Sequence, residues 1–367
     1  MRSIVVPLPG RDRSYRIVVE PGLRHHLGEL LAQVLPGRRL WLVSDVRVGR
    51  LYGQEVAEQL RQQGFQAALL TVPRGEGSKS WPVLARLIRI LLDQGADRGS
   101  ALMALGGGVV GDLTGFLAAV FMRGLPVVQV PTTLLAMVDA AIGGKTAINI
   151  PAGKNLVGAF HQPRLVVIDP EFLLTLPARE RRNGLAEVVK TGFIRDAGLL
   201  ELLAGPGRRL LRDPGLKNRD LLTEIIARAA AIKAEVVAAD EQEGDLRRVL
   251  NFGHTLGHAL EKASRFRLKH GEAVAVGMAA ALDFSVTLTG LSPEEAHRGR
   301  ELLASMGLPT QPPPLPKDEI LRALKVDKKK QGERLVFILL RRLGDAVVYP
   351  AVPGALIAAW LDEHAGG

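Results

Sequence analysis

Short apolar runs alternate with amphipathic stretches through the first 130 residues, and this alternation restricts the fold more than any other feature of the sequence. The runs are RLWLVS (39–44), AALLTV (67–72), ALMALG (101–106) and PVVQV (126–130). The stretches between them, 47–63, 78–94 and one from about 109, have helical periodicity. Buried strands joined by crossover helices build a parallel sheet. We therefore predict an α/β N-terminal half.

The remaining patterns predict a second domain and two hairpins. Residues 3–8 and 14–19 have the pattern of paired strands, and a late hairpin is expected to turn near Gly344. After the run RLVVIDP (164–170), the segment from about 178 to 308 is dominated by helical periods rich in Ala, Leu and Glu. We expect one domain over residues 1–177 and a mostly helical one over 178–367.

Composition excludes several classes of function. The chain has no cysteine, so disulfides, thiolate metal sites and cysteine nucleophiles are impossible. Only 4% of residues are aromatic, which disfavours base-stacking surfaces, so the net charge of +10 fits an anionic small molecule better than nucleic acid. The longest apolar region, 101–122, contains Asp112, and no signal-peptide pattern begins the chain. We expect a cytoplasmic protein without membrane or nucleic-acid partners.

A glycine-rich turn, GGGVVG (106–111), follows a predicted strand and opens a helix. Its G-x-G-x-x-G spacing lets a pyrophosphate approach backbone N–H groups at a helix N-terminus. The acidic residue that usually follows about 20 positions later is missing, although Asp45 at the end of an earlier strand could bind a ribose. The pattern alone leaves open a dinucleotide site or a structural tight turn.

A second glycine-rich segment, 131–163, carries Lys145, Lys154 and Asn155. Fixed cations on such a backbone suit phosphate or carboxylate oxygens. The segment lacks the P-loop spacing, and a solvated surface loop is the alternative.

The segment RRVLNFGHTLGHALE (247–261) is the most unusual in the chain. On one helix, Arg247, Asn251, His254 and His258 would share a single stripe. Spacing alone pairs His254 with His258 as metal ligands. A third histidine follows at position 270, and Glu187 lies on an apolar helix with Lys190 one turn later. Two histidines and a carboxylate are a common catalytic zinc set, whereas the alternative is a buried hydrogen-bonded cluster.

Taken together, these strings resemble the 3-dehydroquinate synthase family between about Asp45 and Lys330. The strings that carry the resemblance are PRGEGSK, GGGVVGDLTGF, FMRG, VPTTLLAMVDAAIGGKTAIN, GKNLVGAFHQP, LAEVVK, EGDLRRVLNFGHTLGHALE and HGEAVAVGM. The resemblance implies a Rossmann-like NAD-binding domain, then a mainly helical domain that holds a metal and the substrate. It further implies a homodimer that converts 3-deoxy-D-arabino-heptulosonate 7-phosphate into 3-dehydroquinate and phosphate with transient NAD redox and a divalent zinc or cobalt ion.

The resemblance also implies roles for individual residues. The metal ligands become Glu187, His254 and His270, which replaces the pairing of His254 with His258. Catalytic roles fall on His258, Lys145, Lys190, Asp139 and, most loosely, Glu243. Substrate contacts fall on Arg123, Asn155, Lys233, Arg247, Asn251 and Lys328, with Arg123 reaching a neighbouring subunit's site. NAD contacts fall on Asp45, Glu76, Lys79, Gly107, Gly108, Asp112, Thr132, Thr133, Lys154, Phe172 and Thr175.

Two enzyme classes stay open as alternatives. Other sugar-phosphate cyclases, of the deoxy-inosose or valiolone synthase type, tend to differ at the positions of Lys233, Asn251, His258 and Lys328, and all four here match the dehydroquinate type. A metal-dependent alcohol or glycerol dehydrogenase would accumulate NADH.

Overall fold

The computed structural model describes residues 2–7, 14–208, 215, 217–244, 246–330 and 335–364, without the side chains of 326–330. The chain forms two compact units. The first consists of Met1–Leu176 and Lys233–Gln242, and the second of Pro177–Ile232 and Glu243–Gly367. The division into independent domains at residue 177 stays a prediction.

The first unit is built on a seven-stranded sheet with a separate two-stranded hairpin. Its strands are β1 (Arg2–Val6), β2 (Tyr15–Val19), β3 (Arg39–Asp45), β4 (Ala67–Val72), β5 (Ser100–Gly106), β6 (Val127–Pro131), β7 (Lys145–Ile150), β8 (Gly153–Phe160) and β9 (Leu165–Ile168). The order in the large sheet is β1-β2-β9-β6-β5-β3-β4. The predicted first hairpin is confirmed, because β1 and β2 pair antiparallel; the other pairs in this sheet are parallel.

Helices connect these strands as the apolar pattern predicts. They are α1 (Leu27–Val34), α2 (Val46–Val48), α3 (Gln54–Gln62), α4 (Trp81–Asp93) and α5 (Gly108–Val120). All of β5 is buried, as expected for a central parallel strand that is covered on both faces. A π-turn at Gly49–Gly53 interrupts the predicted helix 47–63, and α1 was not predicted.

The strand order creates a switch point between β3 and β5. From β3 the chain crosses to β4 on one side, then returns to β5 on the other side. The helices after β3 and β5 therefore leave in opposite directions, which opens a crevice at the carboxyl ends of these strands. Ligands of open α/β sheets bind in such a crevice.

The glycine-rich segment 131–163 is mostly ordered structure, and the surface-loop alternative is wrong for most of it. β7 and β8 form an antiparallel hairpin. Ile148 of β7 is fully buried in the same apolar cluster as Leu113, Phe116 and Leu117 of α5. Asn155 lies in β8 with a φ of 56°, a conformation that asparagine tolerates better than most residues.

The second unit is mainly helical. Its helices are α6 (Ala178–Arg195), α7 (Ala197–Ala204), α8 (Arg219–Ala239), α9 (His254–Ala263), α10 (His270–Thr289), α11 (Pro293–Ser305), α12 (Lys317–Lys330) and α13 (Gly354–His364). Helix α8 belongs to this unit up to Ile232 and to the first unit from Lys233. Strands β10 (Phe337–Arg342) and β11 (Asp345–Tyr349) form the predicted late hairpin around Gly344. The predicted fold class, an α/β sheet unit followed by helices, is confirmed.

Helix α10 lies at the centre of this unit, and small residues let α9 approach it closely. Its apolar stretch is largely buried from Ala273 to Ser285. A Cβ added at Gly257 of α9 would lie 3.2 Å from the Ala273 carbonyl oxygen and from the Cα of Val274. The close approach matters because α9 and α10 each begin with a histidine of the candidate site.

Helix α10 is also the one helix in the described ranges that is long and apolar enough to cross a membrane. Of its most apolar window, 72% is buried inside the structure. Core helices of folded domains commonly combine this length, composition and burial.

Candidate functional site

The segment 247–261 is not one helix, and this part of the sequence prediction is wrong. Leu246–Asn251 forms a 3-10 turn, Gly253 has a φ of 77°, and α9 begins only at His254. The left-handed conformation of Gly253 ends the first element and redirects the chain. Arg247 and Asn251 therefore lie on a different element from His254 and His258, and the predicted single stripe does not exist.

Three predicted metal ligands nevertheless converge in the second unit. Glu187 comes from the middle of α6, whereas His254 and His270 are the first residues of α9 and α10. The possible ligand atoms of the three side chains all lie within 4.8 Å of one another. Nε2 of His254 is 3.7 Å and Nε2 of His270 is 3.5 Å from Oε1 of Glu187. Helices α9 and α10 thus present two imidazoles to one carboxylate oxygen on α6.

Cations keep the buried Glu187 carboxylate charged. Burial by itself would raise its pKa, but the Lys190 ammonium together with His270 and His254 outweighs burial, and the pKa of Glu187 lies well below its usual range. Lys190, one turn along α6, is itself buried and forms an ion pair with Oε2 of Glu187. Burial, with Lys190 next, holds the pKa of His254 well below its usual value, so this imidazole is neutral. A neutral imidazole and an ionised carboxylate are the forms that bind metals.

The Nδ1 atoms of His254 and His270 each lie near an oxygen of another residue. Nδ1 of His254 lies 3.1 Å from the Phe252 carbonyl oxygen, and Nδ1 of His270 lies 3.4 Å from Oε2 of Glu261. When these Nδ1–H groups donate, both Nε2 lone pairs are left facing Glu187. Burial lowers the pKa of His270, but the nearby carboxylates of Glu187 and then Glu261 outweigh it and raise this pKa to about 10, so a metal that binds Nε2 would displace a proton.

The donor set fits a divalent metal. Across the part of the chain that the structure describes, Oε1 of the buried Glu187 has no hydrogen-bond donor. A buried carboxylate oxygen without a donor is costly, and an ion between it and the two Nε2 atoms would remove the cost. One carboxylate and two imidazoles leave a coordination position open for substrate. A second possible ligand group consists of His258, Glu261 and His270, of which His258 is exposed.

Four other predicted site residues of the second unit lie close to the start of α9 in the sequence, and a fifth lies in α12. Arg247 and Asn251 belong to the 3-10 turn before the ligand helix α9, and Arg247 is only 1% exposed. The His258 ring centroid lies 5.3 Å from that of His254 and 6.2 Å from that of His270. Glu243 lies three residues before the turn with a φ of 63°. The side chain of Lys328, in α12, falls outside the described part.

In the first unit, most predicted NAD-contacting residues lie at one edge of the sheet. They lie at or just after the carboxyl ends of five parallel strands: Asp45 is the last residue of β3, Glu76 and Lys79 follow β4, Gly107 and Gly108 follow β5, Thr132 and Thr133 follow β6, and Phe172 and Thr175 follow β9. This edge includes the switch point between β3 and β5, where nucleotides bind in sheets of this kind.

The glycine turn meets the steric requirement of a nucleotide cradle. Gly107 precedes α5, and a Cβ there would lie 3.0 Å from Cγ2 of Thr133; a Cβ on Gly108 would lie 3.1 Å from the Cβ of Ala140. Side chains at either position would fill the space in front of the α5 N-terminus. The bare backbone leaves its N–H groups open to an anion.

A buried lysine joins three elements beside this turn. Nζ of Lys79 lies 2.5 Å from Oδ2 of Asp112 and 2.5 Å from Oδ1 of Asn155. Burial raises the pKa of Asp112 to about 6, while Lys79 acts in the opposite direction. Asn149 connects the same group to Glu76 through a 2.8 Å hydrogen bond. The segment 131–163 is thus tied to the glycine turn through side chains.

The remaining predicted residues of the first unit lie on a π-turn, on the β7–β8 hairpin and at position 123. Asp139, on a π-turn, forms an ion pair with Lys233 of α8. Lys145 begins β7, and Lys154 and Asn155 lie in β8; all three are exposed. Arg123 is exposed and has a φ of 65°.

Sequence reasoning missed Tyr52 in the first unit and Glu261 in the second. Tyr52 donates to or accepts from Oγ1 of Thr175 at 2.7 Å and packs edge-on against Phe172 at 4.8 Å. The sequence predicts an ordinary helix at this position, whereas the π-turn at Gly49–Gly53 directs Tyr52 toward Thr175 and Phe172. Glu261 could have been found, since it lies on α9 one turn beyond His258.

Comparison with known families covers most of the chain. The family model described as "3-dehydroquinate synthase N-terminal" matches residues 69–183, and the one described as "3-dehydroquinate synthase C-terminal" matches residues 184–330. A curated relative from Nostoc punctiforme, named 3-dehydroquinate synthase, is 44% identical over 97% of this chain and 98% of its own length.

Two solved structures resemble the chain closely. One is a 2-epi-5-epi-valiolone synthase from Streptomyces hygroscopicus with NAD+ and Zn2+ bound, with a TM-score of 0.87, 32% identity and coverage of 97% of this chain and 98% of that one. The other is a 2-deoxy-scyllo-inosose synthase complexed with carbaglucose-6-phosphate, NAD+ and Co2+. Its TM-score is 0.85, with 26% identity over 99% of this chain and 100% of that one.

Proposed function

The chain belongs to the 3-dehydroquinate synthase family, and from this premise we propose that it converts 3-deoxy-D-arabino-heptulosonate 7-phosphate into 3-dehydroquinate and phosphate. NAD and a divalent metal, zinc or cobalt, are the proposed cofactors. The observation that carries the proposal is the convergence of Glu187, His254 and His270 around a buried carboxylate oxygen that has no hydrogen-bond donor among the described residues. Those three side chains would hold the metal.

Each proposed cofactor supplies chemistry that side chains lack. When bound, the metal acts as a Lewis acid that lowers the pKa of a coordinated hydroxyl group, and NAD accepts and returns a hydride. Asp45, the glycine turn and Lys79 are proposed to hold NAD at the carboxyl edge of the sheet, together with the other members of the predicted NAD set. Tyr52 is added to this set because it contacts Thr175 and Phe172.

The chain's cations are proposed to bind the two anionic ends of the substrate. A heptulosonate phosphate carries a carboxylate at one end and a phosphate at the other, and cationic donors make charge-assisted hydrogen bonds to both groups. We assign Lys145 and Lys328, with the amide of Asn155, to phosphate and its departure, and Arg123 to the neighbouring subunit's site. Arg247 and Asn251, on the turn before α9, are assigned to substrate binding.

Four further residues receive catalytic or supporting roles. His258, exposed on α9 beside the proposed ligands, is suited to exchange protons between substrate and solvent. Asp139, paired with the substrate-binding Lys233, is proposed to orient that ammonium group. Lys190 keeps Glu187 ionised through its ion pair. Glu243 is retained as a catalytic candidate.

Assembly and location complete the proposal. A homodimer in which Arg123 reaches the neighbouring subunit's site is supported by the exposure of Arg123 and by its left-handed backbone, which is strained for an arginine. A cytoplasmic location agrees with a biosynthetic enzyme of this family.

The proposal is tested by measuring phosphate release from the heptulosonate 7-phosphate with and without a chelator, while the absorbance of NADH is followed. Chelator-sensitive phosphate release without net NADH accumulation is the expected result. Accumulating NADH would identify a dehydrogenase instead. Absence of phosphate release with the heptulosonate, but release from another sugar phosphate, would identify a different sugar-phosphate cyclase.

A further inference from the structure

We propose that Glu261 is a positioning residue for the metal centre: its carboxylate accepts the Nδ1–H of His270 and so directs Nε2 of that ring at Glu187. The inference rests on the metal site proposed above. It concerns a residue to which neither the sequence motifs nor the comparisons give a role.

The geometry assigns opposite sides of the His270 ring to two different carboxylates. Nε2 of His270 lies 3.5 Å from Oε1 of Glu187, whereas Nδ1 lies 3.4 Å from Oε2 of Glu261. The two nitrogens of an imidazole point away from each other, so an ion held by Nε2 lies on the side away from Glu261. Glu261 therefore orients this ligand and does not itself bind the same ion.

The two histidine ligands differ in what fixes them. Nδ1 of His254 is held by the Phe252 carbonyl, a main-chain group that no substitution removes. His270 relies instead on a side chain from another helix, α9, while its own helix starts at that residue. The carboxylate also makes His270 a stronger electron donor than a carbonyl would. Removal of Glu261 should therefore weaken one ligand and leave the other intact.

A competing interpretation would make Glu261 a metal ligand itself. Its carboxylate, His258 and His270 form the second possible ligand group. The exposure of His258 contrasts with the burial of Glu187, whose Oε1 lacks a hydrogen-bond donor among the described side chains. Burial and the missing donor both favour the group that contains Glu187. The experiment below separates the two interpretations.

The test titrates metal-free protein with Co2+ and Zn2+ and measures dissociation constants, together with the visible absorption spectrum of the cobalt protein at saturation. Loss of an outer-shell carboxylate typically weakens metal binding about 10- to 100-fold. Glu261→Ala should show a loss in this range. Glu261→Gln should lose less, because its amide oxygen still accepts from Nδ1–H. Both saturated cobalt spectra should match the original protein, since the ligand set is unchanged.

Glu180→Gln is the matched control. Glu180 forms a 3.0 Å ion pair with Lys269, which caps the start of α10, so this change also removes a carboxylate next to the His270 helix. The substitution leaves both imidazoles with their partners and should leave the dissociation constant unchanged. Circular dichroism of each metal-free variant checks folding, and the isosteric Glu261→Gln keeps the test valid if Glu261→Ala does not fold.

Two results would overturn the inference. A dissociation constant within twofold of the original in a folded Glu261 variant would show that the carboxylate does not position the ligand. An altered cobalt spectrum in Glu261→Gln, combined with an unaltered one in Glu187→Gln, would make Glu261 a ligand of the His258 group. Because metal binding is measured without turnover, failure of the phosphate-release assay would sink the proposed function and leave this inference standing.

Discussion

The two candidate regions of the molecule are built in different ways. The nucleotide edge of the first unit collects residues that follow successive strands, so backbone topology alone brings them together. The candidate metal site of the second unit collects side chains from three helices, and their separation along the chain reaches 83 residues between Glu187 and His270. The first arrangement tolerates solvent and moderate charge, whereas the second needs buried charges balanced against one another. Substitutions at the nucleotide edge of the first unit should therefore reduce function gradually, whereas substitutions in the candidate metal site should abolish it.

The largest expected effect tests this difference at the metal centre. His254→Ala removes one of the three proposed ligands and should abolish both stoichiometric metal binding and phosphate release. Metal content and turnover are measured on the same preparation. His297→Ala, at an exposed position of α11, is the control and should change neither. Full activity of His254→Ala with an empty site would refute the ligand assignment.

The second prediction concerns the glycine that redirects the chain into the ligand helix. At Gly253 a Cβ would lie 2.6 Å from Cγ of Met278 and 2.7 Å from the Val274 carbonyl oxygen, with a φ of 77°. Gly253→Ala should therefore lower the free energy of unfolding by about 2–4 kcal/mol, combining backbone strain with overpacking. Urea unfolding followed by circular dichroism measures this.

Gly290→Ala separates the two causes. Gly290, the residue after α10, has nearly the same φ, 79°, but no heavy atom lies within 4 Å of an added Cβ. Strain alone should cost about 1–2 kcal/mol there. Equal losses at the two glycines would mean that the approach of α9 to α10 is not tight, and the abrupt behaviour expected of this region would be lost.

The third prediction concerns the strand edge. Oδ1 of Asp45 accepts backbone hydrogen bonds from Arg47 at 2.8 Å and Val48 at 3.2 Å, which caps α2. Asp45→Asn keeps a capping oxygen but removes the charge, so the fold should persist while NAD affinity falls about tenfold, the equivalent of about 1.4 kcal/mol for a charged hydrogen bond. Calorimetric NAD titration measures this, with Glu58→Gln on α3 as control. An unchanged affinity would remove Asp45 from the NAD site.

The same contrast explains how much the sequence could predict. The ends of β3 to β6 follow from local apolar runs, so the sequence alone is enough to place the glycine turn and Asp45 at the ends of strands. The break at Gly253 could not be predicted, because the spacing of Arg247 to His258 fits one helix, and only crowding against Met278 and Val274 requires the glycine.

The candidate metal site and the β7–β8 hairpin could not be predicted from local sequence patterns, for a related reason. Side-chain spacing paired His254 with His258, and the family resemblance, not periodicity, indicated Glu187 and His270 instead. Long-range packing of α6, α9 and α10 brings these residues together, and no local pattern encodes it. The β7–β8 hairpin was obscured because glycine and lysine are atypical of strands, yet its burial against α5 overrides that propensity.

The smallest expected effect compares Glu187 and Asp112, two carboxylates whose pKa values are shifted in opposite directions. Glu187 is flanked by one ammonium and two imidazoles, and its pKa lies well below its usual range. For Asp112, burial raises the pKa to about 6, because Lys79 lowers it less than burial raises it and because Glu76 and Asp139 raise it further. A carboxyl group whose folded pKa lies above its unfolded value stabilises the fold at low pH, and this stabilisation is lost as pH rises through the folded value.

Asp112→Asn should remove that loss. Relative to the original protein, the variant should gain about 1 kcal/mol in the free energy of unfolding between pH 5 and pH 7.5, whatever constant offset the lost Lys79 contact adds. Urea unfolding at both pH values, performed on both proteins, gives the difference. Parallel pH profiles would mean that Lys79 compensates burial at least fully and that Asp112, like Glu187, is held ionised by its cation. That result would make charge compensation common to both regions and would confine their difference to how the backbone brings the residues together.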